Sequence, residues 1–327
     1  VLRRFADSGV AILFISHKLE EIRALTERAT VVRRGQNVGT VDSRKKSSKQ
    51  LAEMMVGSTV GDIERRDQST AAPSVLLEVS GLSRARDTQF STPLHDISLV
   101  ACAGEILGIA GIAGNGQDEL MEALTGEWTG GNAGAIRMES QDIGMAGPSR
   151  RRQLGIGFVP EERNGHAAVT TMTLADNALL TGHSQGHVVR RGVIDGAQTV
   201  QMAAEIAVAY DVRLPGENPP ASALSGGNLQ KFVVGREIIK RPKVFIVSQP
   251  TWGVDVGAAL FIRRAMLELA AAGSAVIMIS QDLEEIFAIS HRIAVLYDGG
   301  LSAAMAATDI TAESVGLLMG GSDAASE

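Results

Sequence analysis

The strongest constraint on the fold is an internal repeat. Residues 9–36 resemble residues 273–300 without a gap, at an offset of 264 residues, and 12 of the 28 aligned positions are identical. Self-similarity at a fixed spacing indicates copies of one domain. One copy is nearly whole, at about residues 74–321, whereas residues 1–57 contain only the last stretch of the other. The offset therefore predicts that the rest of the first copy precedes Val1.

The regions between and after the two copies have the composition of connections. Residues 58–73 read STVGDIERRDQSTAAP, which is polar and charged and has neither helical nor strand periodicity. Such a segment is typical of a linker. We therefore divide the chain into a first-domain remnant at 1–57, a linker at 58–73, a second domain at 74–321 and a short tail at 322–327.

Alternating strand and helix patterns indicate an α/β fold. In the remnant, periodicity predicts a buried strand over Val10–Ile15, a helix over Leu19–Thr26, a strand over Ala29–Arg33 and a helix near Lys49–Met55. In the second domain, strands and helices follow one another up to a strand at Ala275–Ile279. This order favours a mainly parallel sheet covered by helices. The remnant alone would expose a strand that belongs inside a sheet.

Composition excludes several classes of protein. The formal net charge of −6 and an aromatic content of 4% give no electrostatic or stacking basis for binding nucleic acid. Cys102 is the single cysteine, so an internal disulfide and a cysteine-rich metal site are excluded. No apolar run approaches the length of about 18–20 residues that a membrane helix needs. A role at a membrane would therefore require a partner subunit.

A glycine-rich loop lies between a predicted strand and a predicted helix. The apolar run that ends near Ile109 leads into Gly111, Gly114, Asn115 and Gly116, and the helix follows at once. Glycines allow backbone amides to turn inward around phosphate oxygens, and the helix N-terminus adds partial positive charge. The spacing is that of a P-loop.

Two positions of this P-loop depart from the pattern. Gln117 stands where a lysine should reach the phosphates, and Asp118 stands where a serine or threonine should hold Mg²⁺. A unit charge at about 4 Å contributes about 4 kcal/mol at an effective dielectric constant of about 20. The loss of the lysine forfeits this attraction, and an ionised Asp118 would add repulsion unless it takes over the metal. Binding of a nucleotide through the backbone of the loop remains open.

A second motif identifies the family. Residues 224–231 read LSGGNLQK, in which Ser225, Gly226, Gly227, Asn228 and Gln230 match the signature L-S-G-G-x-x-Q of the ABC ATPases, which this chain resembles. We expect Ser225 to cap a helix that begins near Asn228 and to face an anion together with the amides of the two glycines. The resemblance implies a P-loop α/β core with a helical subdomain that carries the signature. It also implies that the signature closes on a nucleotide held by another domain.

Further family motifs follow in the expected order, with altered chemistry. Ser248 replaces the Walker B aspartate, Gln249 replaces the carboxylate that would polarise water, and Gln281 stands at the switch histidine. Asp255 belongs to a segment that resembles the D-loop, although Trp252 stands where the family usually has arginine. The segment FVPEER over residues 158–163 lies where the Q-loop belongs but contains no glutamine. Together with Gln117 and Asp118, these changes predict a site that does not hydrolyse ATP.

The remnant contains the intact counterpart of one altered position. His17 is the repeat-matched equivalent of Gln281 and is therefore the predicted switch residue of the first domain. We expect His17 and the signature around Ser225 to serve one composite site, in which ATP and Mg²⁺ are bound mainly by the first domain. The P-loop near Gln117 would pair with the first domain's signature and remain silent.

The resemblance extends to the ATP-binding subunits of bacterial sugar and nucleoside importers, and the run Gly111–Gln117 favours the nucleoside type. It implies ATP-driven domain closure, membrane-spanning permease partners, an indirect solute-binding protein and a place on the cytoplasmic face of the membrane. Two other interpretations remain open: a soluble tandem ABC ATPase acting on ribosomes, and a nucleotide-binding fragment that does not hydrolyse. Co-purification with ribosomes and a hydrolysis assay would separate them.

Overall fold

The structure, a computed structural model, describes residues 1–16, 18–33, 35–57, 74–132, 134–183 and 188–321. The predicted linker at 58–73 and tail at 322–327 lie outside these ranges. In sequence order the elements are α1 (Leu2–Asp7), α2 (Leu19–Leu25), β1 (Arg28–Arg33), β2 (Gln36–Asp42), α3 (Ser48–Val56), β3 (Val75–Arg84), β4 (Leu94–Cys102), β5 (Ile106–Ala110), α4 (Gln117–Thr125), β6 (Ile136–Met138), β7 (Gln141–Asp142), α5 (Pro148–Leu154), β8 (Ile156–Val159), α6 (Leu174–Gly182), β9 (Val189–Arg190), β10 (Val193–Ile194), α7 (Gly196–Ala209), α8 (Gly226–Ile238), β11 (Val244–Ser248), α9 (Val256–Ala271), β12 (Ala275–Ser280), α10 (Leu283–Ile289), β13 (Arg292–Tyr297), β14 (Gly300–Leu301), β15 (Met305–Ala306) and α11 (Ala312–Met319).

The centre of the second domain is a parallel sheet. Its strands lie in the order β13-β5-β12-β11-β8, all parallel, and β14 and β15 pair antiparallel with β13 at the edge. The strands β5, β8, β11 and β12 are buried along their whole length. Burial on both faces explains their nearly continuous apolar sequences. The predicted α/β fold is confirmed.

Each face of this sheet has its own core. Along β11, Phe245 and Val247 point to a core shared with helices α6, α7, α8 and α9, whereas Val244 and Ile246 point to a core shared with α4 and a second sheet. The second sheet is antiparallel, in the order β4-β3-β6-β7. The alternation follows from the two-residue period of side chains along a strand.

The carboxyl ends of the parallel strands place the predicted motifs together. The P-loop follows β5, residues 160–163 follow β8, Gln249 follows β11 and Gln281 follows β12. Parallel neighbours end at the same edge, and ligands of open α/β sheets bind there. The topology therefore brings four motifs that are far apart in sequence to one edge.

The first-domain remnant differs from expectation at one element. The predicted strand over Val10–Ile15 is wrong, because this segment has no regular secondary structure and its side chains are largely exposed. Its repeat counterpart, β12, lies between β5 and β11. No neighbouring strand pairs with residues 10–15 in the described part of the chain, and an unpaired strand has no ladder to stabilise it.

The other three elements predicted for residues 1–57 are present. Helix α2, strand β1 and helix α3 lie near their predicted bounds, whereas α1 and β2, which pairs with β1 in a hairpin, were not predicted. Ser47 and Gln50 form a capping box at the start of α3. Helix α3 packs against β1 and against α9 of the second domain, and Leu51 and Ala52 are buried. Residues 1–57 therefore contact the rest of the chain through α3 and α9.

Candidate functional site

The P-loop has the predicted strand, loop and helix layout. Strand β5 ends at Ala110 and helix α4 begins at Gln117. Between them, Gly114 has a φ of +88° and Gly116 a φ of +107°, which are left-handed conformations that favour glycine. A Cβ atom on Gly111 would lie 2.8 Å from the carbonyl oxygen of Leu296, so a side chain has no room there. The backbone therefore has the form of a phosphate-binding loop.

The side chain of Gln117 folds back into this loop. Its Oε1 accepts a hydrogen bond from the backbone N–H of Asn115 at 3.0 Å, and its Nε2 donates to the carbonyl oxygen of Ile112 at 2.8 Å. Only 6% of the residue is exposed. The amide of Asn115, which could otherwise bind a phosphate oxygen, already has an acceptor within the chain.

The remaining polar groups of Asn115 also have partners. Its Oδ1 accepts from the backbone N–H of Asp298 at 2.8 Å, and its Nδ2 donates to the carbonyl oxygen of Ile112 at 2.9 Å. Its own carbonyl oxygen accepts from the N–H of Gly299 at 3.0 Å. These bonds tie the P-loop to the turn after β13 and fix its conformation without a ligand.

Asp118 borders an acidic cavity of about 730 Å³. Partial burial, followed by the charges of Glu119 and Glu122, raises the pKa of Asp118. Partial burial and the charge of Asp118 raise the pKa of Glu161 across the cavity. The acidic side chains that line the cavity are Asp118, Glu122, Glu127, Glu161 and Glu162. Like charges this close disfavour a further anion, although the basic residues Arg163 and His166 also line the cavity.

One base and one acid pair at the rim of this cavity. His166 Nε2 lies 2.9 Å from Glu127 Oε1. The hydrogen bond to Glu127 raises the pKa of His166, although partial burial opposes it. Across the described ranges, no three histidine, cysteine or carboxylate side chains converge closely enough to hold a metal ion.

The Walker B position contains no carboxylate. Ser248 ends β11, is 2% exposed, and its Oγ has no hydrogen-bond partner among the described residues. Gln249 follows with a φ of +48°, and its Oε1 accepts from the backbone N–H of Gln281 at 3.3 Å. The structure therefore brings the predicted pair Gln249 and Gln281 together, but neither amide can act as a general base at neutral pH.

The signature begins a helix earlier than predicted. Helix α8 starts at Gly226, not near Asn228, and Ser225 is its N-cap residue by backbone conformation only. The expected capping bond from the Ser225 side chain is absent. Instead, Ser225 Oγ accepts from Asn228 Nδ2 at 3.0 Å, and Asn228 Oδ1 accepts from the N–H of Arg213.

The uncapped end of α8 has consequences for binding. The first N–H groups of a helix have no acceptor within the helix, and they carry partial positive charge. Ser225 and Gly226 are exposed, and the backbone N–H groups at Gly226 and Gly227 belong to this first turn. An exposed hydroxyl beside uncapped amides is suited to donate hydrogen bonds to the oxygen atoms on one side of an anion such as a phosphate.

Two other predicted residues hold the N-terminal part of α8 in place through contacts inside the domain. Gln230 is buried, and its Nε2 donates to the carbonyl oxygen of Pro250 at 2.9 Å, so it joins α8 to the loop after β11. Asp255 caps α9, because its Oδ1 accepts from the N–H of Ala258 at 2.9 Å. A Cβ atom on Gly227 would lie 3.3 Å from Asp255 Oδ2, which places the D-loop directly against the signature.

Arg163 is a site residue that motif matching did not single out. Its Nη1 donates to the carbonyl oxygen of Gly226 at 3.0 Å, and its Nη2 donates to that of Trp252 at 2.6 Å. The only sequence signal was its position in the segment where the Q-loop belongs. Partial burial lowers the pKa of Arg163.

The P-loop residues and the signature residues form separate hydrogen-bonded groups within the described ranges. The P-loop is bonded to Thr92, Asp298 and Gly299, whereas the signature is bonded to Arg163 and Arg213, and no hydrogen bond joins the two groups. His17 lies outside the described residues, so its predicted switch role has no structural account. No helix in the described part of the chain has the length and apolar character to cross a bilayer.

Comparison with known proteins agrees with this fold. Residues 94–252 match the family model described as ABC transporter. The dimeric ATP-binding cassette MJ0796, solved in a post-hydrolysis state with ADP and Pi, has a TM-score of 0.61 at 19% identity, covering 71% of this chain and 99% of that one. A structure described as the ATP-binding subunit of an ABC transporter gives 0.59 at 19% identity, covering 75% and 99%. The chain therefore has the P-loop NTPase fold of these ATP-binding cassettes.

Curated relatives are similar over almost the whole chain. The nucleoside import ATP-binding protein NupA of Lactococcus lactis subsp. cremoris is 38% identical over 322 residues, which are 98% of this chain and 63% of that protein. The glucose import ATP-binding protein TsgD13 of Haloferax volcanii is 38% identical over 327 residues, 99% of this chain and 59% of that protein. The guanosine import ATP-binding protein NupO of Bacillus subtilis is 37% identical over 323 residues, with 98% and 62% covered. The chain thus spans about three fifths of the length of these relatives.

Proposed function

We propose that this chain forms part of the ATP-binding subunit of an ABC importer for nucleosides or simple sugars. It would dock on the cytoplasmic face of membrane-spanning permease subunits, and a solute-binding protein would deliver the solute to them. The similarity to NupA, NupO and TsgD13 supports import as the process. Their different solutes leave nucleosides and sugars as alternatives, and the glycine loop Gly111–Gln117 favours nucleosides.

We further propose that residues 1–57 are the end of a first ATP-binding domain. The internal repeat supports this division, as does the exposed apolar segment 10–15, whose counterpart β12 is a central strand. The missing neighbours of this segment would be strands of that first domain. Helix α3, packed against α9, would hold the two domains together.

The proposed mechanism rests on the contrast between the signature and the P-loop of this domain. The signature presents Ser225 at an uncapped helix end, whereas the P-loop amide of Asn115 is already bonded to Gln117. The domain would therefore supply the closing surface for a nucleotide held by the first domain. ATP and Mg²⁺ would bind there, with His17 as the switch residue of the same composite site.

The second composite site would be silent. Three features of the P-loop oppose a triphosphate: Gln117 fills the cradle, no lysine is present, and Asp118 and Glu119 place negative charge in the first turn of α4. The residues present do not fit Mg²⁺-ATP, so we assign no chemical step to them. ATP binding and hydrolysis at the other site would drive closure and reopening of the two domains.

A chimera tests this proposal. The part of the Lactococcus relative that lies outside the matched segment is fused to this chain, and the product is expressed with that importer's permease subunits in membrane vesicles. We expect ATP-dependent uptake of a radiolabelled nucleoside or of ribose, which the chain without the fusion does not support. Equal uptake with and without the fusion, or co-purification with ribosomes instead of membrane, would contradict the proposal.

A further inference from the structure

Arg163 joins two segments of the signature side of the domain. It follows β8 at the edge of the parallel sheet, and its two terminal nitrogens donate to carbonyl oxygens in different places. Nη1 bonds to Gly226 in the first turn of α8 at 3.0 Å, and Nη2 bonds to Trp252 in the loop before α9 at 2.6 Å. These acceptors are 63 and 89 residues away in sequence.

The contact depends on two glycines. A Cβ atom on Gly226 would lie 2.8 Å from Arg163 Nη1, and one on Gly253 would lie 3.3 Å from Nη2. Gly253 has a φ of +65°, which allows its chain to turn beside the guanidinium. The close approach of both backbones to one planar group explains why these positions have no side chain.

The chemistry of the contact requires arginine. A guanidinium holds its donors in a rigid plane, so one group can bond to two carbonyl oxygens at a fixed separation, whereas an ammonium is a single point donor. No ion pair between Arg163 and a carboxylate occurs in the described ranges, although Glu161 and Glu162 are its neighbours in sequence. Its partners are backbone atoms of the signature and the D-loop.

We propose that Arg163 is a positioning residue that fixes the signature face, defined as residues 225–227, relative to the D-loop at residues 252–255. This inference rests on the proposed function, in which the signature face closes on a nucleotide held by the first domain. The contacts of Arg163 described above are to backbone carbonyl oxygens of these two segments. Arg163 holds the signature face and the D-loop in place relative to the edge of the sheet, and both segments must reach the nucleotide together.

Hydrogen exchange on the chain itself tests the contact. Arg163→Ala and Arg163→Lys should both accelerate amide exchange, on the order of tenfold, in peptides covering residues 226–230 and 250–254 at the same time. Gly226→Ala should do the same from the other side, because its new methyl group displaces the guanidinium while alanine favours the helix. Arg150→Ala, at an exposed arginine that bonds to Gln153 on α5, is the matched control. Exchange equal to that of the control in both peptides would overturn the proposal.

Kinetics in the chimera described above separate positioning from simple stabilisation. We expect Arg163→Ala and Arg163→Lys to lower kcat for ATP hydrolysis on the order of tenfold and to leave KM for ATP unchanged, because ATP binds first to the other domain's P-loop. A raised KM with unchanged kcat would overturn the proposal. If the unmodified chimera does not hydrolyse ATP, the proposed function fails, and the exchange experiment still decides whether Arg163 holds the two loops.

Discussion

Gln117 makes two hydrogen bonds that a lysine could not make together. It accepts from the N–H of Asn115 through Oε1 and donates to the carbonyl oxygen of Ile112 through Nε2. A lysine has donors only, so it would leave the Asn115 amide free for a phosphate oxygen. At the scale of one residue, glutamine in place of lysine removes a positive charge. Its side-chain oxygen also takes the place of a phosphate oxygen at the Asn115 amide.

The double change Gln117→Lys with Asp118→Thr should restore nucleotide binding. The lysine opens the cradle and returns the attractive charge, and the threonine removes a carboxylate and supplies a hydroxyl for Mg²⁺. We expect a fluorescent ATP analogue to bind on the order of a hundredfold more tightly than to the unmodified chain. Gln153→Lys, which adds one charge at an exposed site, is the control. Equal affinity of the unmodified chain and the double variant would contradict a closed P-loop.

Helix α8 combines an exposed functional end with a buried charged end. Its N-terminus presents the signature, whereas Glu237 near its C-terminus is completely buried. Glu237 lies 2.6 Å from Arg152, 3.1 Å from Arg236 and 3.0 Å from Lys240. Burial alone would raise the pKa of Glu237, but the charges of Lys240, Arg152 and Arg236 outweigh it and lower the pKa to about 2.

Replacing Glu237 by glutamine should destabilise this element strongly. The buried Arg236 and the partly buried Arg152 and Lys240 would lose their common counter-ion, and breaking a buried ion pair costs about 3–5 kcal/mol. We expect the free energy of unfolding in urea to fall by about that amount at pH 7. Glu205→Gln, at an exposed helical position, should change it by less than about 0.5 kcal/mol. Equal stability of the two variants would show that the ion pairs of Glu237 contribute nothing to the free energy of unfolding.

The Glu237 carboxylate also predicts how the free energy of unfolding changes as the pH falls. Because the folded-state pKa of Glu237 is depressed, its contribution is fully present above its ordinary value of 4.5 and is lost as the pH falls toward about 2. Glu237→Gln has no such group to titrate. The stability of the variant should therefore decline less steeply than that of the unmodified chain between pH 4.5 and 2, as measured by urea unfolding at several pH values. The same decline of unfolding free energy with pH in both proteins would contradict a depressed pKa of Glu237.

Sequence patterns predicted the central elements whose causes are local. Apolar runs placed β5 and β12, and glycine spacing placed the turn into α4. The start of α8 was misplaced, since a serine before two glycines reads as a capped turn although its hydroxyl bonds to Asn228. The segment 10–15 has a strand sequence but no neighbour, and pairing is a property of the fold. The bonds of Arg163 connect residues far apart in sequence, so no local pattern indicates them.

At the scale of the whole molecule, the remnant and the second domain meet through helix α3. Leu51 is 1% exposed and α3 packs against α9. Under the proposed division into two domains, this contact would hold the two copies in a defined arrangement in addition to their link in sequence. The proposed composite nucleotide site would require such an arrangement.

Leu51→Ala tests the contact. Removing a buried leucine side chain costs about 2–5 kcal/mol when the surroundings do not collapse. We expect a loss of that order in the free energy of unfolding, and loss of protection from exchange in α3. Leu25→Ala, at a leucine that is 39% exposed, is the matched control and should have a much smaller effect. The same small effect for both variants would show that the packing of α3 against β1 and α9 contributes little to stability.

The most direct test of the account is the rate of ATP hydrolysis by the chimera with Ser225→Ala, measured beside Ser222→Ala, an exposed serine three residues earlier. Ser225 is expected to act on a nucleotide held by the other domain, so its loss should lower kcat on the order of a hundredfold, whereas Ser222→Ala keeps the rate of the unmodified chimera. Hydrolysis by Ser225→Ala at the rate of Ser222→Ala would contradict the claim that this domain supplies the closing surface for its neighbour's nucleotide.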